Sequence, residues 1–182
     1  MRSSPLPEWP ARHLAALTFD ALLDAALARV DETLMLAREV HPGLPAPRVW
    51  FDLKGAGAGQ AHLGRGGLRF NPVLLADNRA AFFDEVIPHE MAHWLVFHLD
   101  GGTRLKPHGR EWQTVMRELF GLVPRVTHRF DIAQSQRRPY RYRCDCREHL
   151  FTAQRHAQGA RGRRYRCRQC GQALRFIDDK AC

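Results

Sequence analysis

What this chain lacks already narrows its reading. No run of 18 apolar residues occurs in its 182 residues, so no segment reads as a membrane-crossing helix. The opening Met1 to Pro10 holds no apolar leader core, and the chain is expected to stay in the cytoplasm. Cysteine is absent before Cys144, which removes disulfides and thiolate ligands from the larger part of the chain. No phosphate-loop pattern is present either. The glycines between Lys54 and Gly67 match neither G-x-x-x-x-G-K-[ST] nor a helix-opening G-x-G-x-x-G, so they read as hairpin turns. Lysine is scarce, 3 of 28 basic residues, an arginine excess that base composition alone would produce.

Base composition does not explain where the charge lies. Residues 1–124 carry 13 basic and 14 acidic residues, whereas residues 125–182 carry 15 and 5. The net charge of +9 therefore belongs to the C-terminal third, as expected of a polyanion-binding surface. With 45% apolar residues the chain can build a core. Two parts are expected, residues 1–135 and 136–182.

Leu23, Leu27, Val30, Leu34 and Ala37 recur at helical steps and predict one long amphipathic helix over about 12–40, stopped by His41-Pro42-Gly43. Short strands are predicted at Val49–Leu53, Gln60–Leu63 and Leu68–Phe70, forming a small antiparallel sheet. A helix follows, starting between Asn78 and Asp84 and ending near His98, with Pro88 either in its first turn or kinking it. A further helix is predicted over His108–Phe120, burying Trp112, Val115, Met116 and Leu119 and capped by Gly121. The fold class is α+β.

The sharpest motif is His89-Glu90-Met91-Ala92-His93. Histidines four residues apart stand one turn apart on one helix face and can share a zinc ion, with the intervening glutamate beside it as a base. The 10 His and 8 Glu of this chain give roughly 0.02 accidental matches by frequency alone. His108, four residues before Trp112, shares that buried face and is the candidate third ligand, against the plainer alternative of a satisfied helix-start histidine. Three nitrogens and an open position define a catalytic zinc, which activates water and polarises a carbonyl. Glu90 would pass the proton to the leaving amine, the scheme of peptide hydrolysis. A structural ion would need a fourth donor. Asp100 and Glu111 are available but not placed by spacing. His98 lies about 140° round the helix from His93 and cannot join. His128 is a candidate oxyanion donor, while His13, His41 and His62 read as structural or exposed.

A second constellation lies at Cys144, Cys146, Cys167 and Cys170. The second pair is a C-x-x-C-G knuckle, the first a tighter C-x-C. Four thiolates would make a closed structural zinc site, and His149 could replace Cys146 in it. Cys182 is a spare thiol. Between the pairs, Arg161, Arg163 and Arg164 are interleaved with Phe151 and Tyr165, a pattern that suits phosphates and unstacked bases, or simply a solvated basic hairpin.

Ile87 to His93, Pro107-His108-Gly109-Arg110-Glu111-Trp112, Thr127 to Phe130, Tyr140 to Cys146 and Tyr165 to Gly171 together resemble the bacterial SprT family. The resemblance implies a zincin-like metallopeptidase domain followed by a β zinc ribbon. It implies His89, His93 and His108 as ligands of a catalytic zinc, Glu90 as the catalytic residue and a second, structural zinc. Eukaryotic relatives such as Spartan degrade proteins crosslinked to DNA, which implies a DNA-associated protease. A nucleic-acid-binding zinc protein without proteolysis and a metallopeptidase indifferent to DNA are the competing readings. No coiled coil or interface repeat is evident, so a monomer is expected.

Overall fold

The computed structural model describes residues 6–99, 105–127, 130 and 140–177. The chain divides into two compact units, Met1–Gln136 and Arg137–Cys182. The architecture is α+β. Among the described residues no helix is long and apolar enough to cross a membrane.

The predicted first helix is two. α1 (Ala11–Ala16) ends at extended Leu17, and α2 (Phe19–Val40) starts anew. Thr18 causes the break, because its side chain accepts from the Ala21 N–H at 3.3 Å as an N-cap. The buried face of α2 also sits differently from the expectation. Leu22, Ala25, Ala26, Val30, Leu34 and Ala37 are buried, whereas Leu27 is 39% exposed. Val30, Leu34 and Ala37 of the predicted face are thus buried, and the small Ala25 and Ala26, which that pattern left out, allow close approach. Arg29 is buried on this face. Its Nε donates to the Phe83 carbonyl at 3.1 Å and its Nη1 to the Pro7 carbonyl at 2.8 Å and to Glu32 at 2.9 Å.

The first sheet has the order β1-β3-β2, with β1 (Arg48–Trp50), β2 (Gly59–His62) and β3 (Gly67–Phe70). It is mixed and not wholly antiparallel, since β2 pairs antiparallel with β3 but β1 pairs parallel to it. After β1 the chain crosses to the far edge of β3 before returning, which aligns β1 and β3. β2 is thereby left as an edge strand. Asn71 fixes the turn that feeds it. Its amide donates to the Gly55 and Gly57 carbonyls at 3.0 and 3.2 Å. Its carbonyl oxygen caps α3 (Pro72–Asp77) by accepting from the Val73 and Leu74 N–H groups.

After α4 (Arg79–Ala81), a π-helical turn (Phe82–Val86) leads into α5 (Ile87–Leu99). Pro88 is the second residue of α5 but lies inside a helix that is continuous from α4, and its missing N–H falls directly after the π turn, where the carbonyl pairing is already shifted. The Arg29 bond to the Phe83 carbonyl falls inside the π turn, where the regular carbonyl pairing is shifted. α5 packs against α2 and β2 and buries Ile87, Met91, Ala92 and Leu95. α6 (Arg110–Thr114) runs into a second π turn (Val115–Leu119), and Gly121, at φ 68°, ends it in the left-handed conformation that favours glycine. Phe70, Phe82, Phe83, Trp112 and Phe120 fill the core of this unit.

The second unit contains a sheet of order β5-β4-β6, from β4 (Tyr140–Arg143), β5 (Glu148–Phe151) and β6 (Arg175–Phe176). Between the cysteine pairs stands a helix, α7 (Ala153–Ala160), capped by Thr152, where the sequence had suggested a hairpin. Its side chains complete a small aromatic core. His156 stacks on Tyr140 at 3.7 Å between ring centroids, and Tyr142 stacks on Phe151 at 4.1 Å.

Candidate metal centres

α5 carries His89, Glu90 and His93. His108 stands in the turn before α6, whose N-cap is Gly109, so it lies just outside the helix predicted to contain it. Two bonds hold this turn. The Gly109 N–H donates to the Lys106 carbonyl at 2.8 Å, and the Gln113 side chain donates to the His108 carbonyl at 3.1 Å. Trp112, 1% exposed, packs against all three imidazoles at 4.7 Å (His89), 5.6 Å (His93) and 4.8 Å (His108) between ring centroids. Its indole N–H donates to the His89 carbonyl at 3.3 Å. Sequence reading placed Trp112 in the core but missed this supporting role, which its spacing from His108 hinted at.

The three Nε2 atoms form a near-equilateral triangle with edges of 3.2, 3.1 and 3.1 Å. Hydrogen bonding cannot satisfy that triangle. A neutral imidazole nitrogen either donates or accepts, so among three nitrogens in mutual contact at least two are of the same kind and repel. A cation at the centre resolves the conflict. Nitrogens ~2.1 Å from one tetrahedral zinc stand about 3.4 Å apart, close to the observed edges. Burial, reinforced by the neighbouring His89 and His108, pushes His93 down to about 3. Burial also lowers His108. Both are therefore held neutral, the form that binds metal. Among the described residues no carboxylate or thiol joins the three histidines. Glu111 does not line the cleft they face, and Asp100 and His128 fall outside the described residues.

Glu90 is 7% exposed. Its Oε2 accepts the Ala61 N–H from the open edge of β2 at 2.8 Å. A Cβ at Gly59 would lie 2.6 Å from both the Cγ and Oε1 of Glu90, so only glycine leaves that carboxylate its place. Burial raises the Glu90 pKa to about 8, against the pull of the Ala61 N–H. The seat made by Gly59 and Ala61 had no signal in the sequence, because it is built from backbone. The cleft at this site measures about 970 Å³. Its walls come from the 56–61 segment, Leu105 to His108 and the coil at 122–127, and the Arg125–Glu85 ion pair at 2.7 Å joins two of its lining residues.

In the second unit the Sγ atoms of Cys144, Cys146, Cys167 and Cys170 all lie within 4.8 Å of one another. The Cys144–Cys146 and Cys146–Cys167 separations are 3.3 and 3.6 Å, near the ~3.8 Å that sulfurs 2.3 Å from one tetrahedral zinc would show. Backbone N–H groups of Cys170 and Gln169 pull Cys167 down to about 5. Desolvation opposes ionisation of Cys144, but hydrogen bonds from His149 and Cys146 outweigh it and lower that thiol to about 7. Hydrogen bonding to the Cys144 sulfur raises Cys146 to about 12. Four clustered thiols resist ionising together unless a cation compensates them, as such a donor set would require. His149 Nε2 lies 3.3 Å from the Cys144 sulfur but is not part of the mutually close set. Cys182 lies outside the described residues.

Arg161, Arg163 and Arg164 are exposed just past the end of α7. Arg163 donates to Gln158 at 3.2 Å and stands 5.7 Å from the Tyr165 ring centroid. Arg155 lies 4.0 Å over Phe151. Some of these arginines thus cover aromatic faces of the small core as well as adding charge.

Together these features define an α+β protein with a three-histidine cluster on a His-Glu-x-x-His helix and a separate four-cysteine cluster. The chain belongs to the SprT-like family, whose model matches residues 31–128. It is 43% identical over 159 residues to Protein SprT of Serratia proteamaculans (strain 568), covering 86% of this chain and 92% of that relative. To Protein SprT of Erwinia tasmaniensis it is 42% identical over 156 residues, covering 85% and 91%. To Protein SprT of Pseudomonas paraeruginosa (strain DSM 24068 / PA7) it is 46% identical over 135 residues, covering 72% and 81%. No solved structure matches the chain.

Proposed function

We propose that this chain is a zinc-dependent metalloendopeptidase that acts on DNA-associated proteins. Residues 1–135 would form a zincin-like catalytic domain, and residues 136–182 a basic zinc ribbon. His89, His93 and His108 would hold the catalytic zinc, and the four cysteines a structural one. The observation carrying the reading is the Nε2 triangle, with edges of 3.1–3.2 Å, next to a buried glutamate. Three nitrogens with no fourth donor among the described residues leave a position open to water, the mark of a catalytic site. A zinc ion held there supplies Lewis acidity, polarising a peptide carbonyl and making water a nucleophile near neutral pH.

The remaining steps belong to the chain. Glu90 is held by the Ala61 N–H. With a cation beside it, its pKa would fall below the about 8 of the metal-free site, and it would then take a proton from the attacking water and deliver it to the leaving amine. Trp112 keeps the imidazoles in orientation and excludes water from behind them. The apolar cleft receives the peptide. In the ribbon, exposed Arg161, Arg163 and Arg164 would contact phosphates without reading sequence. The protein is proposed to work in the cytoplasm as a monomer.

The test compares wild type with Glu90→Gln on basic DNA-binding proteins, with and without single-stranded DNA. Cleavage by wild type alone and only with DNA supports the proposal. Inertness of both points to a binding protein, and cleavage indifferent to DNA points to a protease whose ribbon is structural. Single-stranded DNA affinity should fall steeply with salt, and replacing Arg161, Arg163 and Arg164 together with alanine should reduce the log–log slope by about 2. An unchanged slope in the triple variant removes those residues from the interface.

Gly59→Ala should push the Glu90 carboxylate off its seat. A misplacement of about 1 Å can cost ~100-fold in rate. The expected result is a loss of that order in kcat, with metal content unchanged. Wild-type kcat in this variant would show that the seat does not matter.

A further inference from the structure

We propose that His149 is the side-chain hydrogen-bond donor to the Cys144 thiolate in the ribbon's metal site and is not a ligand of the ion. The inference rests on reading the four-cysteine cluster as a metal site. Two of its sulfurs, Cys144 and Cys167, are buried, and two, Cys146 and Cys170, are exposed. Exposed thiolates can take hydrogen bonds from water. Buried ones depend on the protein, because four thiolates around a dication leave a net charge near −2 that needs donors. Cys167 receives the Gln169 backbone N–H at 3.4 Å. Cys144 has His149 Nε2 at 3.3 Å, in addition to backbone hydrogen bonds from Cys146 and Arg147.

The hairpin delivers that imidazole. In the β4–β5 ladder Tyr142 pairs with His149, and the Cys144 N–H closes the turn on the Arg147 carbonyl at 3.2 Å. His149 is thus carried on a strand and aligned beside a sulfur two residues along the partner strand. The same register keeps its nitrogen out of the set of donors that lie within 4.8 Å of one another. Donation requires the tautomer with hydrogen on Nε2. The tight C-x-C spacing and a histidine three residues beyond it leave the fourth ligand ambiguous in sequence. The geometry separates the roles: four sulfurs surround the ion and one imidazole supports a sulfur.

Cobalt(II) loading of the full chain tests this, because sulfur-to-cobalt charge transfer reports the cysteine site alone and not the histidine site. Wild type, His149→Ala and His149→Gln are titrated with cobalt and then competed with a chelator. The expected result is a charge-transfer band of full four-sulfur intensity in all three. Affinity should be about 10–100-fold weaker in His149→Ala and partly restored in His149→Gln, which keeps an N–H donor. A shift of the cobalt d–d bands on removing His149, or unchanged affinity in His149→Ala, overturns the proposal. Absence of the band in wild type overturns the underlying reading of the cluster as a metal site, and this inference with it.

Discussion

Glu90→Gln is expected to lower the peptidase rate by about 10²–10⁴-fold while leaving metal content unchanged. The same substitution should stabilise the metal-free protein at alkaline pH. Burial raises the Glu90 pKa to about 8 from an ordinary 4.5. Below 4.5 the carboxyl is protonated both folded and unfolded, and it costs the fold nothing. Between 4.5 and 8 the folded protein keeps a proton that the unfolded chain has released, so stability falls as pH rises through that window. Above it the full penalty applies, on the order of a few kcal/mol at ~1.4 kcal/mol per pKa unit. Glutamine is a neutral near-isostere and escapes the penalty. Denaturant melts of the two metal-free proteins should therefore nearly coincide at about pH 4, below the window, with the variant clearly ahead at about pH 8. Coincidence at both pH values would show that Glu90 is not held in a desolvated site.

His93 acts in the opposite direction. Burial and its two histidine neighbours depress it to about 3, below its usual 6.5, so the stability it contributes is lost as pH falls from 6.5 towards 3. Wild type and Glu90→Gln share that loss, and it cancels in the comparison.

His108→Ala should remove one metal ion per chain and reduce peptidase activity to background. The side chain supplies one corner of a triangle whose other nitrogens lie 3.1 Å away. Losing a direct ligand should cost more than the 10–100-fold in affinity that an outer hydrogen-bonding partner is worth. The fold itself should survive, because Trp112, the core residue beneath, is untouched. Zinc stoichiometry by elemental analysis, with the thermal midpoint with and without added zinc, measures both effects. The variant should lose most of the zinc-dependent rise in midpoint contributed by the histidine site, since a ligand stabilises only in proportion to its binding. The cysteine cluster should keep its own ion. Full zinc retention in His108→Ala would remove this residue from the coordination set.

The chemistry-bearing residues were legible because helical spacing is rigid. His89 and His93 are four apart, so any helix through them places both on one face. The cysteine pairs could be read for a similar reason, since short spacings keep thiols close whatever the fold. What could not be read depends on backbone positions distant in sequence. The long first helix broke at Thr18 because a side-chain oxygen offered the Ala21 N–H a competing partner. The sheet became mixed because the crossover after β1 is a matter of topology, which local alternation does not encode. Helix α7 formed within a segment whose arginines had suggested a solvated hairpin.

The sequence by itself determined the α+β class, the helix bearing His89, Glu90 and His93, and the histidine and cysteine sets that could hold metal, since composition and local periodicity suffice for these. Only the tertiary structure decided that His108 approaches from a turn and not from within a helix, that the β2 backbone seats Glu90, and that His149 lies against one sulfur outside the cysteine set. Each of these depends on segments brought together by burial of the common core or by strand register, and no stretch of sequence read alone carries that information.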